Sequence, residues 1–430
     1  MSTHARPAPV RAPFLTRGTT GVLAVAAFGI GVYLARLALG LRAVTHLSDQ
    51  YPWGIWIAVD VATGVALAAG GFTSAALVYV FHREKYHALV RPALLTAMLG
   101  YTFVVIGLLA DLGRYYNVWH PMLPSMWQGN SVLFEVGICV MIYLSVLYIE
   151  FLPLAVERFK GRVALPGPWA ALNRPLEGLL GFLDRTLSRF IFVFIIAGVV
   201  LSCLHQSSLG SLMLIAPTKV HPLWYTPILP LLFLLSAISV GFPMVIFESL
   251  LAARSLRLKP ELPLLSSLAR MVPGLLGLYL AAKLIDITLR GRWPLVVAGT
   301  PQSIMWLIEV IGGWVVPLVL LSIPRVRRSA TGLLTAAFMV VLGVALNRID
   351  VFLVAYKPLY AQHAYTPSAW EVGVTAGLIA TLVLVYRAMV MIFPVISAEA
   401  AAKTPALAPA RAVEAELAES PDQEQVASSW

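Results

Sequence analysis

Asp60, Asp111, Arg114, Glu135, His205, Lys283, Asp286 and Glu309 stand inside, or at the edge of, long apolar runs of the sequence. An ionisable side chain in such a run is costly to place in lipid and is usually kept for a task. Carboxylates and a histidine there can take up and release protons. With an arginine and tyrosines beside them, they can also hydrogen-bond a polar headgroup. Glu135 has no basic residue near it on its own helix, which suits a proton carrier. His205 falls in the polar patch Cys203-Leu-His-Gln-Ser-Ser-Leu-Gly210, where it reads equally as a structural or a ligand-facing group.

The elements that must hold these groups are membrane helices. Hydrophobic residues are 59% of the 430 and charged residues only 12%, about half the share usual in soluble domains. Apolar runs lie near 19–41, 54–81, 90–112, 131–152, 190–212, 225–248, 270–289, 303–323, 329–347 and 367–394. Each has the roughly 20 residues a bilayer core requires, and helices satisfy their backbone within the segment. The expected fold is therefore an all-α integral membrane protein of about ten transmembrane helices, as two four-helix bundles plus two further helices. The boundaries expected are a tail over 1–18, a first bundle over 19–152, a cytoplasmic loop over 153–189, a second bundle with helices nine and ten over 190–394, and a disordered tail over 395–430.

Orientation follows from the basic residues. Arg83, Lys85, Arg158, Lys160, Arg162, Arg254, Arg257, Lys259, Arg325, Arg327 and Arg328 fall on one set of loops. The opposite set is rich in tryptophan: Trp53, Trp119, Trp127, Trp224 and Trp293. The positive-inside rule then puts both termini in the cytoplasm of a cell inner membrane. The N-terminal stretch shows no cleavable signal, so the first run reads as an anchor. The formal charge of +10 fits loops beside anionic lipid and no nucleic-acid surface. Counted at 1.5 Å per residue, Asp60, Glu135, His205, Lys283 and Glu309 sit roughly 8–10 Å below the outer helix ends.

Each of these groups has a plainer reading. Lys283 and Asp286, three apart, can neutralise each other. Asp60 can pair with Arg114 to hold helices two and three together. Gly64 with Ala68, Gly70 with Ser74 and Gly71 with Ala75 favour close helix packing. Several chemistries are excluded. Cys139 and Cys203 supply no disulfide framework and no iron–sulfur ligand set, and there is no metal spacing and no phosphate loop. His205 is the one histidine inside an expected span, so no haem is expected.

Four passages resemble the NrfD/PsrC family, the polysulfide-reductase membrane subunits, and most of all its branch in hydrogenase-2-type nickel–iron hydrogenases. They are Tyr51-Pro-Trp-Gly-Ile-Trp-Ile-Ala-Val-Asp60 with Gly70-Gly-Phe72, Gly129-Asn-Ser-Val-Leu-Phe-Glu135, Cys203 to Gly210, and His221-Pro-Leu-Trp-Tyr-Thr-Pro227. The resemblance covers nearly the whole spanning region. It implies a haem-free, quinone-reactive anchor of a respiratory oxidoreductase complex. An iron–sulfur ferredoxin-like subunit on the outer face would exchange electrons with menaquinone or ubiquinone. Catalytic hydrogenase or molybdopterin subunits would lie beyond it. Glu135 matches the family's helix-four glutamate, a candidate proton-transfer group.

The expected site lies near the outer face, mainly within helices one to four. Arg114 and Tyr115 would orient a quinone oxygen, with Trp53, Asp111 and His205 nearby, and Glu135 and Asp60 would exchange protons. A route along helix four would pass Tyr143 and Glu150. The alternatives are a polysulfide or molybdopterin-type reductase subunit, a di-haem cytochrome b, and, from another class, a secondary transporter. A transporter would place its site at the midplane within inverted repeats, and neither feature is visible in the sequence.

Overall fold

A computed structural model describes residues 7–361 and 363–397. Residues 1–6 of the expected tail over 1–18, and all but 395–397 of the expected tail over 395–430, therefore lie outside the described residues. Among the described residues, ten helices are long and apolar enough to span a membrane: α1 Arg17–Leu39, α2 Trp56–Val80, α3 Glu84–Asp111, α4 Val132–Phe159, α5 Gly167–Ile215, α6 Leu229–Leu256, α7 Leu262–Leu289, α8 Pro301–Ser322, α9 Ala330–Val354 and α10 Ala369–Ile392. The described residues otherwise form short helical turns, such as Trp293–Val296 and Pro324–Arg327, loops, and two isolated β-bridges, Pro7 with Ser397 and Val220 with Tyr356. The helix starts are marked by side chains that take an otherwise orphaned amide. Thr16, Ser131, Thr300, Ser329 and Ser368 each do this, and Ser368 with Glu371 forms a reciprocal capping box.

α2 is the most enclosed helix, and its small residues explain why. A methyl group on Gly64 would meet Val104 of α3 at 2.8 Å, and one on Gly70 would meet Val245 of α6 at 3.0 Å. Gly71 packs as tightly against Ala97 of α3. Without a hydrophobic drive inside lipid, such close backbone approach is what holds helices together. α2 also touches α9, so it sits where the two halves of the protein meet.

The expected partition into helices one to four and five to eight is not confirmed. α1 lies along α10 instead, because Gly29 faces Gly377 so closely that a side chain on either would overlap the other's backbone. α4 pairs with α5, and α6 with α9 and α7. The first residues complete the α1–α10 pairing: Ala8 N–H donates to the Ile396 carbonyl (3.1 Å) and Val10 N–H to that of Val390 (3.1 Å). Arg387 of α10 donates to the Pro13 carbonyl at 2.7 Å.

The stretch 153–189, expected as a loop, is largely helical. α4 runs on to Phe159, and an unbroken helix covers Asn173–Ser211. Polar ties across the turn permit this: Lys160 pairs with Asp184 at 2.7 Å, and Glu177 takes the Gly161 amide at 2.6 Å. α2, α8 and α9 each contain a widened π-helical stretch, over Trp56–Thr63, Ile308–Val315 and Asp350–Val354. A carboxylate sits in each: Asp60, Glu309 and Asp350. Such widened turns recur at functional sites.

Candidate functional site

The ionisable groups named from the sequence fall into three clusters. The first joins α1, α2, α3 and α10 near the tryptophan-rich end. Asp60 takes a hydrogen bond from Thr375 of α10 at 2.6 Å, and Gly107 of α3 leaves room for it, since a methyl there would lie 2.7 Å from the Asp60 Cβ. Asp111 is buried at the end of α3, within electrostatic reach of Arg36 and Glu371, and its Oδ1 has no partner among the described residues. Arg36, 1% exposed, donates to the Leu112 carbonyl at 2.5 Å and lies 5.5 Å from the centre of the Tyr115 ring. Tyr115 donates to the Leu37 carbonyl at 3.3 Å.

Glu371 closes this cluster from α10. It accepts from Tyr365 (2.6 Å), from the Ser368 amide (2.8 Å) and from the His46 amide (3.1 Å). Burial, reinforced by the hydrogen bond to Glu371, pushes the Tyr365 phenol well above its usual range. Tyr365 stays a donor there. The anticipated Asp60–Arg114 pair does not form: Arg114 is exposed on the loop after α3, while Asp60 is turned to α10. Trp53 packs edge-on against Phe352 of α9.

The second cluster is a polar file through α3, α4 and α5. Ser208 of α5 donates to Glu135, which is exposed on α4 near the tryptophan-rich end. One turn away on α5, His205 is wholly buried, with Nδ1 3.1 Å from the Tyr101 hydroxyl and Nε2 without a partner among the described residues. Tyr101 stands edge-on to Tyr143 of α4, with ring centres 4.6 Å apart. Gln206 donates to the Val65 carbonyl of α2 at 2.8 Å.

Below Tyr143 opens a cavity of about 310 Å³, lined by Tyr79, His87, Arg91, Tyr143, Glu150 and Asp184 among apolar side chains. Gly198 of α5 makes room for the Glu150 carboxylate, because any side chain there would strike it. From Glu135 to Glu150 the file follows α4 for about 22 Å at 1.5 Å per residue, most of a roughly 30 Å hydrocarbon core.

The third cluster lies among α6, α7, α8 and α9. Lys283 pairs with Glu309, both almost wholly buried, and Asp286 pairs with Arg290, one turn further along α7, at 2.9 Å. Mutual neutralisation of Lys283 and Asp286 is thereby overturned: each finds a partner with better geometry, Asp286 also accepting from Thr226 at 2.6 Å. Glu309 takes further hydrogen bonds from Asn347 (3.0 Å) and from Trp224 (3.3 Å).

Sequence reasoning missed Arg36, Tyr101, Arg348, Asp350, Glu371, Thr375 and Ser208. Arg36, Glu371 and Asp350 carry the signal already used for Asp60, an ionisable group within or just past an apolar run. Tyr101, Thr375 and Ser208 carry no such signal. Among the described residues, no three or more His, Cys, Asp or Glu side chains converge as metal ligands.

Residues 43–358 match the family model described as polysulphide reductase, NrfD. A protein of Escherichia coli (strain K12) named "Probable Ni/Fe-hydrogenase 2 b-type cytochrome subunit" is 35% identical over 364 residues, 84% of this chain and 88% of the relative. A further protein, of Nitratidesulfovibrio vulgaris, is 38% identical over 387 residues, 88% of this chain and 93% of the relative. From the same organism, the "Menaquinone reductase, integral membrane subunit" is 26% identical over 87% of this chain and 90% of its own length. The family match spans α2 to α9 and takes in the second and third clusters, while Arg36, Tyr365, Ser368, Glu371 and Thr375 of the first cluster lie outside it. The chain belongs to the polysulphide reductase NrfD family.

Proposed function

We propose that this chain is the quinone-reactive membrane anchor of a respiratory oxidoreductase complex, most closely one built around a hydrogenase. In this reading electrons pass between an iron–sulfur subunit on the outer face and the menaquinone or ubiquinone pool. Catalytic subunits of hydrogenase or molybdopterin type complete the complex. The chain lies in the inner membrane with both ends in the cytoplasm.

The observation that carries this reading is the file from Glu135 through His205, Tyr101 and Tyr143 to Glu150. Reduction of a quinone takes two protons with two electrons, so its site needs a supply of both. A chain of hydroxyl, imidazole and carboxyl groups through an apolar bundle is suited to move protons. A cavity of this volume, polar at Glu150 and Arg91, has room for several waters. The names of relatives, a menaquinone reductase subunit among them, point the same way. The cluster of Asp60, Asp111, Arg36 and Tyr115 lies near the outer ends of the helices, where a headgroup entering from the bilayer would meet donors and acceptors together.

One relative is named as a b-type cytochrome subunit. Haem held between helices takes an axial ligand from each side, commonly two histidines. His205 is the one buried histidine among the described residues, and its ring meets Tyr101 rather than a second histidine. These residues do not fit a bis-histidine haem.

The test is purification of a tagged chain from native membranes, followed by quinone-linked turnover of whatever complex accompanies it. An iron–sulfur protein with a hydrogenase or molybdenum catalytic subunit is the expected company, and Glu135→Gln should abolish turnover without loss of assembly. Full turnover in that variant would remove Glu135 from the mechanism. A chain that purifies alone would sink the whole reading.

A further inference from the structure

The third cluster contains one group whose surroundings do not account for it. Asp350, 0% exposed at the widened turn that ends α9, has neither carboxylate oxygen hydrogen-bonded among the described residues. It lies beside Glu309 and Lys283. Glu309 is fully supplied, by Lys283, by Asn347 at 3.0 Å and by Trp224 at 3.3 Å. The nearest arginine in sequence gives no hydrogen bond to Asp350: Arg348 donates to Asn347 Oδ1 (2.5 Å), to Ser236 (2.9 Å) and to the Phe233 carbonyl (3.2 Å), lies over the Phe233 ring at 3.7 Å, and has an Nε without a partner among the described residues, its charge being within electrostatic reach of Glu309. α7 adds Tyr279, 3.4 Å from Lys283, and Asp286, held by Arg290 and Thr226. The one carboxylate of α2, Asp60, is turned to α10.

An ionised carboxylate with no donor and no edge to water is among the least tolerable states inside a membrane protein. Two adjacent carboxyl groups beside one ammonium resolve this by holding a single proton between them. We infer that Glu309 and Asp350 share one exchangeable proton next to Lys283, which makes the interior of α7, α8 and α9 a proton-binding site separate from the file in α3–α5. When the proton sits on Asp350, Lys283 pairs with ionised Glu309, as in this structure. When it crosses to Glu309, the Lys283 ammonium turns to ionised Asp350. The proton that leaves one oxygen arrives on the other, so the charge of the cluster stays constant.

The backbone suits such an exchange. Glu309 and Asp350 both sit in widened turns, and Gly313 of α8 meets Gly343 of α9 backbone to backbone, which keeps the two carboxylates at a fixed separation. A way out runs past Trp224 and Thr226 to the Asp286–Arg290 pair at the rim. The inference stands without the quinone reading.

Infrared spectroscopy of the full-length protein in lipid, with aspartate carboxyl carbons carbon-13 labelled, reads the proton directly. The wild type should show, near neutral pH, a protonated-carboxyl stretch that shifts in heavy water and on aspartate labelling. Asp350→Asn and Glu309→Gln should each abolish the same band, because the remaining carboxyl then pairs with Lys283 and ionises. A wild-type spectrum with no labelled protonated aspartate overturns the inference without recourse to any variant. So does a labelled band that Asp350→Asn leaves in place, or one that Glu309→Gln leaves unshifted.

Discussion

Thr375 on the last helix donates its hydroxyl to Asp60 on the second at 2.6 Å, so two segments more than 300 residues apart in sequence meet at one buried carboxylate. Thr375→Val keeps the shape and removes the donor. A buried acceptor left unpaired costs about 1–3 kcal/mol. The variant should therefore melt lower than wild type in detergent, and Thr375→Ser should restore the difference. Equal melting of all three would mean that water already serves Asp60.

Lys283 and Glu309 form a nearly buried ion pair. Breaking such a pair from one side costs about 3–5 kcal/mol, whereas removing both charges together is often close to neutral. Lys283→Met should accumulate poorly in membranes, and Lys283→Met with Glu309→Gln should recover much of the loss. Immunoblotting and gel filtration of the two variants compare them directly, and additive losses would exclude a coupled pair.

Tyr101 links His205 to Tyr143 in the polar file. Tyr101→Phe deletes one hydroxyl and little volume. If the file conducts protons, quinone-linked turnover should fall by roughly 10²-fold, the lower end for a positioned proton-transfer group, while assembly is unchanged. Gly198→Ala should act at the far end by displacing Glu150, with a smaller loss.

His221, in the loop before α6, is held below the ordinary histidine range, first by burial and then by the Lys357 charge. The unfolded chain thus binds a proton that the folded chain refuses. The contribution is fully present above the unfolded pKa of about 6.5 and is lost as pH falls below it. Melting temperature should decline on acidification through that window, and His221→Asn should decline less steeply. Parallel curves would assign the acid sensitivity elsewhere.

The ten spans were legible because lipid enforces a simple rule on length and polarity. Asp60, Glu135 and His205 were legible for the same reason, as polar exceptions to it. Their partners were not. Thr375, Ser208 and Tyr101 are ordinary residues of membrane helices, and only the packing of α10 and α5 gives them a role. The Lys283–Asp286 reading failed because spacing along one helix says nothing of Glu309 on the next. The stretch 153–189 reads as a loop because its charges break the apolar pattern, yet those charges tie it down as helix.

The pairing of α1 with α10 has a consequence for how the protein is made. The glycine face of α1 is covered by α10, which begins at Ala369. At 5–20 residues per second, the ribosome needs about 20–70 s to deliver the last helix after the first. During that interval α1 sits in the bilayer with its contact surface open and a cation near its end. An insertase or a neighbouring subunit has time to bind there, and a ribosome that stalls before α10 leaves a chain whose first helix has no mate.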